Sequence, residues 1–193
     1  MRIVTVALLA LLAQETKTPE LVPLKAGAAW TYTVNDQAVV RKAAGREKVG
    51  ELECWVIETT IKERSQKEFV VLDKEGLKLV KSVFGQAEVK YDPPILRLKL
   101  PAKKGETWEW KGKQGATEGQ ASYSNEGEEE IVTPAGKYKA WKIASTMEGE
   151  GGASTQTEWY APDVGLVRLD ASLNVRGVLR KSTMELKSFE PGK

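Results

Sequence analysis

Residues 69–81 read FVVLDKEGLKLVK, and this stretch decides the fold class. The apolar run from Phe69 to Leu72 stops at Asp73-Lys74-Glu75-Gly76, and Leu77-Lys78-Leu79-Val80-Lys81 returns as its partner. Such a pair is a β-hairpin, because Asp bonds its own turn backbone and Gly accepts backbone angles closed to other residues. The same grammar extends in both directions. Trp30, Tyr32 and Val34 alternate with Thr31 and Thr33; Leu52, Cys54 and Val56 alternate with Trp55, Ile57, Thr59 and Ile61, so this strand is apolar on both faces in its middle. A sheet apolar on both faces must be covered on both. No long stretch shows a helical period, and the chain reads as all-β.

The hairpin also belongs to an internal repeat, echoed by WYAPDVGLVRLD from Trp159. Gly76 matches Gly165 at a shift of 165 − 76 = 89. Upstream, GELECWVI from Gly50 matches GKYKAWKI from Gly136 at 136 − 50 = 86, and LVPLKAGAAWTY from Leu21 matches LKLPAKKGETWEW from Leu98 at 105 − 27 = 78. The order is kept, and the shift grows only where polar loops absorb insertions. Two half-units, about 21–92 and 93–190, therefore form a single β domain over 21–193, with roughly four or five strands in each. A sheet of that size curls, which predicts a curved antiparallel sheet in the form of a half-barrel or open barrel. Tyr91-Asp92-Pro93-Pro94 is the stiff punctuation between the halves, since proline is excluded from central strands.

The chain has 193 residues, 41% hydrophobic and 29% charged, which is one ordinary globular domain. Its 29 basic and 27 acidic residues leave a net charge of +2, no bulk reason to bind nucleic acid. The absence of histidine and the single cysteine, Cys54, remove histidine triads, thiolate zinc sites and internal disulfides. No cofactor or metal is expected. The opening MRIVTVALLALLA places Arg2 before an apolar run that ends at Ala13. Residues 1–13 therefore read as a signal peptide, too short to span a bilayer, with 14–20 as a flexible leader. The expected location is secreted or periplasmic, with no transmembrane segment in the mature chain.

The elements Tyr91-x-Pro93-Pro94, Leu100-Pro101, Gly105-x-x-Trp108, Thr133-Pro134-Ala135-Gly136-x-Tyr138 and Trp159-Tyr160-Ala161-Pro162-x-x-Gly165-Leu166-Val167 resemble a family of exported bacterial proteins of unknown function. The resemblance covers most of residues 21–190. It implies a curved antiparallel sheet of the architecture found in the lipoprotein carriers and receptors LolA and LolB. No amphipathic helix of the kind that plugs a carrier's concave face is evident in the sequence.

The tryptophans are the strongest candidates for function. Trp30 pairs with Trp108 and Trp55 with Trp141 across the repeat, which predicts buried anchors in both halves. Trp110 lies two residues beyond Trp108 on the same strand face, and its counterpart is Tyr32. Tyr32, Trp108 and Trp110 are therefore the candidate ligand-binding residues, lining a concave face that grips an apolar or lipidic ligand without catalysis. An envelope scaffold that contacts another protein, without a small ligand, is the alternative, and a carboxylate-dependent hydrolase a third. Glu126, Glu128, Glu129 and Glu130 read as a solvated loop, and Asp73 and Asp163 as turn-forming side chains. No pair of acids is set in an apolar pocket by sequence.

Overall fold

The computed structural model describes residues 20–150, 152–175 and 177–193. The expected signal peptide and nearly all of the leader lie outside them. The described residues form twelve strands: β1 (Ala29–Val34), β2 (Gln37–Val49), β3 (Leu52–Ile61), β4 (Arg64–Asp73), β5 (Gly76–Phe84), β6 (Ala87–Lys99), β7 (Thr107–Gln114), β8 (Thr117–Thr133), β9 (Gly136–Gly149), β10 (Gly152–Ala161), β11 (Gly165–Val175) and β12 (Val178–Glu190). Each pairs antiparallel with its neighbour in sequence, and β1 pairs with β12, so the sheet is a closed up-and-down barrel. The expectation of an all-β, curled antiparallel sheet holds, but the half-barrel is corrected. Twelve strands are enough for the two edges to meet, and closure satisfies backbone groups that an open edge leaves bare.

The repeat is visible in the irregularities of the ladder as well as in the residues. β2 bulges between Ala43 and Gly45, and β8 between Asn125 and Gly127. The shift 127 − 45 = 82 falls between those of the flanking matches. β4 and β10 bulge at Phe69/Val70 and Trp159/Tyr160, the pair that the hairpin match aligns. Each half thus has six strands, β1–β6 and β7–β12. The boundary expected at 92/93 falls inside β6. There Asp92-Pro93-Pro94 interrupts pairing instead of ending the strand: β6 meets β7 only at Tyr91↔Gln114 and Asp92↔Lys113.

Alternation along each strand sends one set of side chains into the barrel and the other outward. Tyr32, Val39, Ile57, Val70, Ile95, Leu98, Ile143, Tyr160 and Leu186 belong to the main core. On the opposite face of β3, Cys54 and Val56 form a separate small cluster with Phe69 and Val80. The Lys81 ammonium lies 4.2 Å from the centre of the Phe69 ring. The second apolar face of β3 is therefore covered locally, and Cys54 is a free, buried thiol. Burial pushes its pKa up, partly opposed by Lys81.

Two ends of the barrel result. The connections β2–β3, β4–β5, β6–β7, β8–β9 and β10–β11 lie at one end with the N-terminal segment 20–28, and the other six lie at the opposite end. The β4–β5 tip is fixed by Asp73, whose Oδ1 accepts from the N–H groups of Glu75 at 2.9 Å and Gly76 at 3.3 Å. Gly76 has φ +140°, and a Cβ there would lie 1.9 Å from the Leu98 carbonyl oxygen, so the hairpin that decides the fold admits no side chain at this position. Asp163 serves differently: its Oδ1 accepts from the Glu20 N–H at 3.0 Å, and its own N–H donates to the Glu20 carbonyl at 2.8 Å. The leader end is thereby clamped onto the β10–β11 turn.

Candidate functional site

The residues marked by sequence are placed in the main core or against it, but not around one cavity. Tyr32 is 1% exposed, and its hydroxyl donates to the Leu166 carbonyl at 2.8 Å. Trp110 is also buried and donates its indole N–H to the Pro93 carbonyl at 2.7 Å. Trp108 is half-buried, donates to the Leu96 carbonyl at 2.7 Å and stacks on Tyr123 at 5.3 Å. The two indoles bond β6 where the backbone ladder between β6 and β7 is missing. They stitch the junction of the two halves, work that the backbone does elsewhere in the barrel. Tyr32 lines an internal cavity, whereas Trp110 and Trp108 border two separate depressions.

That internal cavity measures about 50 Å3, room for a few water molecules. Its polar wall was not visible in the sequence. Arg41 on β2, Glu68 on β4, Arg97 on β6 and Glu158 on β10 form one chain of ion pairs: Arg41–Glu68 at 2.6 Å, Arg97–Glu68 at 2.9 Å and Arg97–Glu158 at 2.6 Å. Two cations and two anions cancel. Burial would raise the Glu68 carboxyl, but Arg97 and Arg41 outweigh it and hold it below the usual carboxylate range. Glu158 raises the Arg97 pKa still further, against burial. Burial lifts the Tyr32 and Tyr160 hydroxyls well above their ordinary value and pushes Tyr123 up to about 12, so all three stay protonated donors. These residues are scattered along the chain, and Arg41 and Glu68 stand next to a further charge, Lys42 and Lys67. The one available signal was Arg41, Glu68, Arg97 and Glu158 each standing on an inward-facing strand position.

Above this cavity the segment Val22-Pro23-Leu24 lies across the barrel mouth. Val22 and Leu24 face the small cavity on one side and a large open cleft, about 830 Å3, on the other. The cleft is walled by Leu72, Leu100, Pro101 and Pro162, with Arg46, Asp73 and Glu128 at its edge. Trp55 and Trp141 both enter it. These repeat-paired tryptophans were expected to be buried anchors, and that expectation is corrected: both are only half-buried. The reason is their place near the barrel end, where they stand opposite Arg46 and Glu128 in the ladder, beside the paired bulges, and have no further core layer above them. The Arg46 guanidinium stacks 4.7 Å from the Trp55 ring centre.

The outer wall of the barrel carries ion pairs such as Lys67–Glu58 at 2.9 Å and Lys142–Glu126 at 2.9 Å. A transmembrane barrel needs an outward apolar band, which such pairs interrupt. Among the described residues no helix is long and apolar enough to cross a membrane, and no group of three or more His, Cys, Asp or Glu is placed to hold a metal ion.

A family model described as DUF3108-like matches residues 123–185, less than half of the chain. The matched stretch includes the Pro-Ala-Gly and Trp-Tyr-Ala-Pro elements. Three solved structures are similar at 14% identity. A candidate lipoprotein from Parabacteroides distasonis has a TM-score of 0.43, covering 91% of this chain and 100% of that one. A candidate exported protein with a YmcC-like fold from Bacteroides fragilis has 0.48, covering 90% and 100%. The hypothetical lipoprotein YmcC from Escherichia coli has 0.42, covering 86% and 85%. No curated protein matches the chain.

Proposed function

We propose that the chain is an exported, non-catalytic binding protein that takes an apolar or lipidic ligand in the cleft at the leader end of the barrel. The observation that carries this reading is the convergence of Trp55 and Trp141, equivalent residues of the two halves, half-exposed in one cleft. A volume of about 830 Å3 is of the size that small-molecule sites occupy, and barrel mouths are a common place for them. The cavity behind Val22 and Leu24 is too small for an acyl chain. Ligand therefore binds outside the plug, against the two indoles, with the Arg46–Glu53 and Lys139–Glu128 ion pairs beside a polar end.

Tyr32, Trp108 and Trp110 act in this reading as barrel-closing residues, because their polar atoms are already bonded to backbone carbonyls. The acids do not favour hydrolysis. Arg97 bridges Glu68 and Glu158, and acid catalysis needs a carboxyl whose pKa is raised, whereas Glu68 is held low. The test is titration with a fatty acid and with a neutral detergent. Saturable binding is expected, weakened tenfold or more by Trp141→Ala in a protein that still unfolds cooperatively. Absence of saturable binding by the wild type would leave the scaffold reading in its place.

A further inference from the structure

The opposite end of the barrel has a different surface. Among the described residues, Ile61, Phe84, Leu173, Val178 and Leu179 are large apolar side chains between 37% and 58% exposed. They stand at or beside the tips of β3–β4, β5–β6 and β11–β12. In barrel order these hairpins and β1–β2 are consecutive, so the apolar residues occupy one arc of the rim. The same arc exposes Lys62, Arg64, Lys90, Arg180 and Lys181 against Asp36, Glu63 and Glu88. The two remaining tips, β7–β8 and β9–β10, have no exposed large apolar residue and carry Glu118, Glu148 and Glu150 against Lys113.

We infer that this arc docks on an anionic lipid surface. Apolar side chains held on the tips of rigid hairpins can enter the headgroup boundary without exposing unpaired backbone, because each tip closes its own ladder. The basic residues beside them are attracted to anionic headgroups, while the acidic tips on the other side are repelled, which sets one orientation. The cleft with Trp55 and Trp141 then faces away from the membrane, open to the aqueous compartment. The inference does not depend on what the cleft binds.

The experiment is co-sedimentation of the mature protein, recovered from exporting cells, with vesicles of phosphatidylcholine alone or mixed with phosphatidylglycerol. Binding is expected only to the mixed vesicles and should fall as salt is raised. Each basic residue at an anionic surface contributes about a fivefold change in partitioning, so the double variant Arg180→Glu, Lys181→Glu should lose on the order of tenfold or more. Phe84→Ser combined with Leu179→Ser should lower binding further, with an unchanged urea midpoint because both residues are exposed. Val132→Ser, 66% exposed at the leader end, should leave binding unchanged. The inference is overturned by a wild type that ignores mixed vesicles or by charge reversals without effect. It is overturned equally by a loss with Val132→Ser as large as at the arc, or by a concentration-dependent dimer that Phe84→Ser dissolves without vesicle binding.

Discussion

Replacing Trp110 by Ala and by Phe separates two contributions at the seam between the repeat halves. Trp110 is 5% exposed, its ring meets Tyr91 edge-on at 6.4 Å, and its N–H reaches the Pro93 carbonyl at 2.7 Å. The backbone ladder between β6 and β7 has only two pairs, Tyr91↔Gln114 and Asp92↔Lys113, and stops at the residue before Pro93. Trp110→Ala removes the ring and leaves a cavity, for a loss of about 3–5 kcal/mol. Trp110→Phe keeps most of the apolar area and withdraws the indole donor from Pro93, for about 1–3 kcal/mol. Urea unfolding followed by far-UV circular dichroism measures both. With a slope of about 1–3 kcal/mol per M, the Ala variant should move the midpoint by about 1 M or more. The Phe variant should fall between it and the wild type. A Phe variant with the wild-type midpoint, together with an Ala variant within about 0.5 kcal/mol of it, would refute the seam argument, since that is the range of an ordinary surface change.

Three further outcomes follow from the interior. Arg97→Met leaves Glu68 with one partner and Glu158 without its guanidinium, and should cost about 3–5 kcal/mol in the same assay, more than most surface ion pairs are worth. Glu68 has a folded pKa below its unfolded one, so its contribution is present above the ordinary carboxylate range and is lost as pH falls through the depressed value. Wild-type stability measured at descending pH should therefore decline in acid, with a shallower decline in Arg97→Met. Cys54, buried behind Val56, Phe69 and Val80, should react with a thiol reagent only in urea; stoichiometric labelling of the native protein would contradict its placement.

Strand content, hairpins and the repeat were legible because they rest on local signals: alternation, the turns Asp73–Gly76 and Asp163–Gly165, and Gly and Trp at matching places in the two halves. Closure was not legible. It depends on Trp30, Tyr32 and their neighbours in β1 pairing with β12, some 150 residues away. The aromatic stripe at Trp108 and Trp110 was read correctly as one strand face, yet the carbonyls those indoles reach belong to the proline-broken β6. The ion-pair chain was hidden for a similar reason, since no local pattern joins Arg41, Glu68, Arg97 and Glu158 until the barrel brings β2, β4, β6 and β10 together. Trp55 and Trp141 were recognised as equivalent, but sequence equivalence carries no depth, and the nearness of both to the barrel end decides that they are half-exposed.

Fluorescence quenching by a brominated fatty acid tests the binding cleft most directly, because bromine quenches only indoles it touches. Of the six tryptophans, Trp55 and Trp141 enter the cleft, while Trp30, Trp108, Trp110 and Trp159 hold hydrogen bonds elsewhere in the barrel. The account predicts saturable quenching in the wild type that disappears when Trp55 and Trp141 are both replaced by Phe. Undiminished quenching in that variant would place the ligand on other indoles and contradict the cleft as its site.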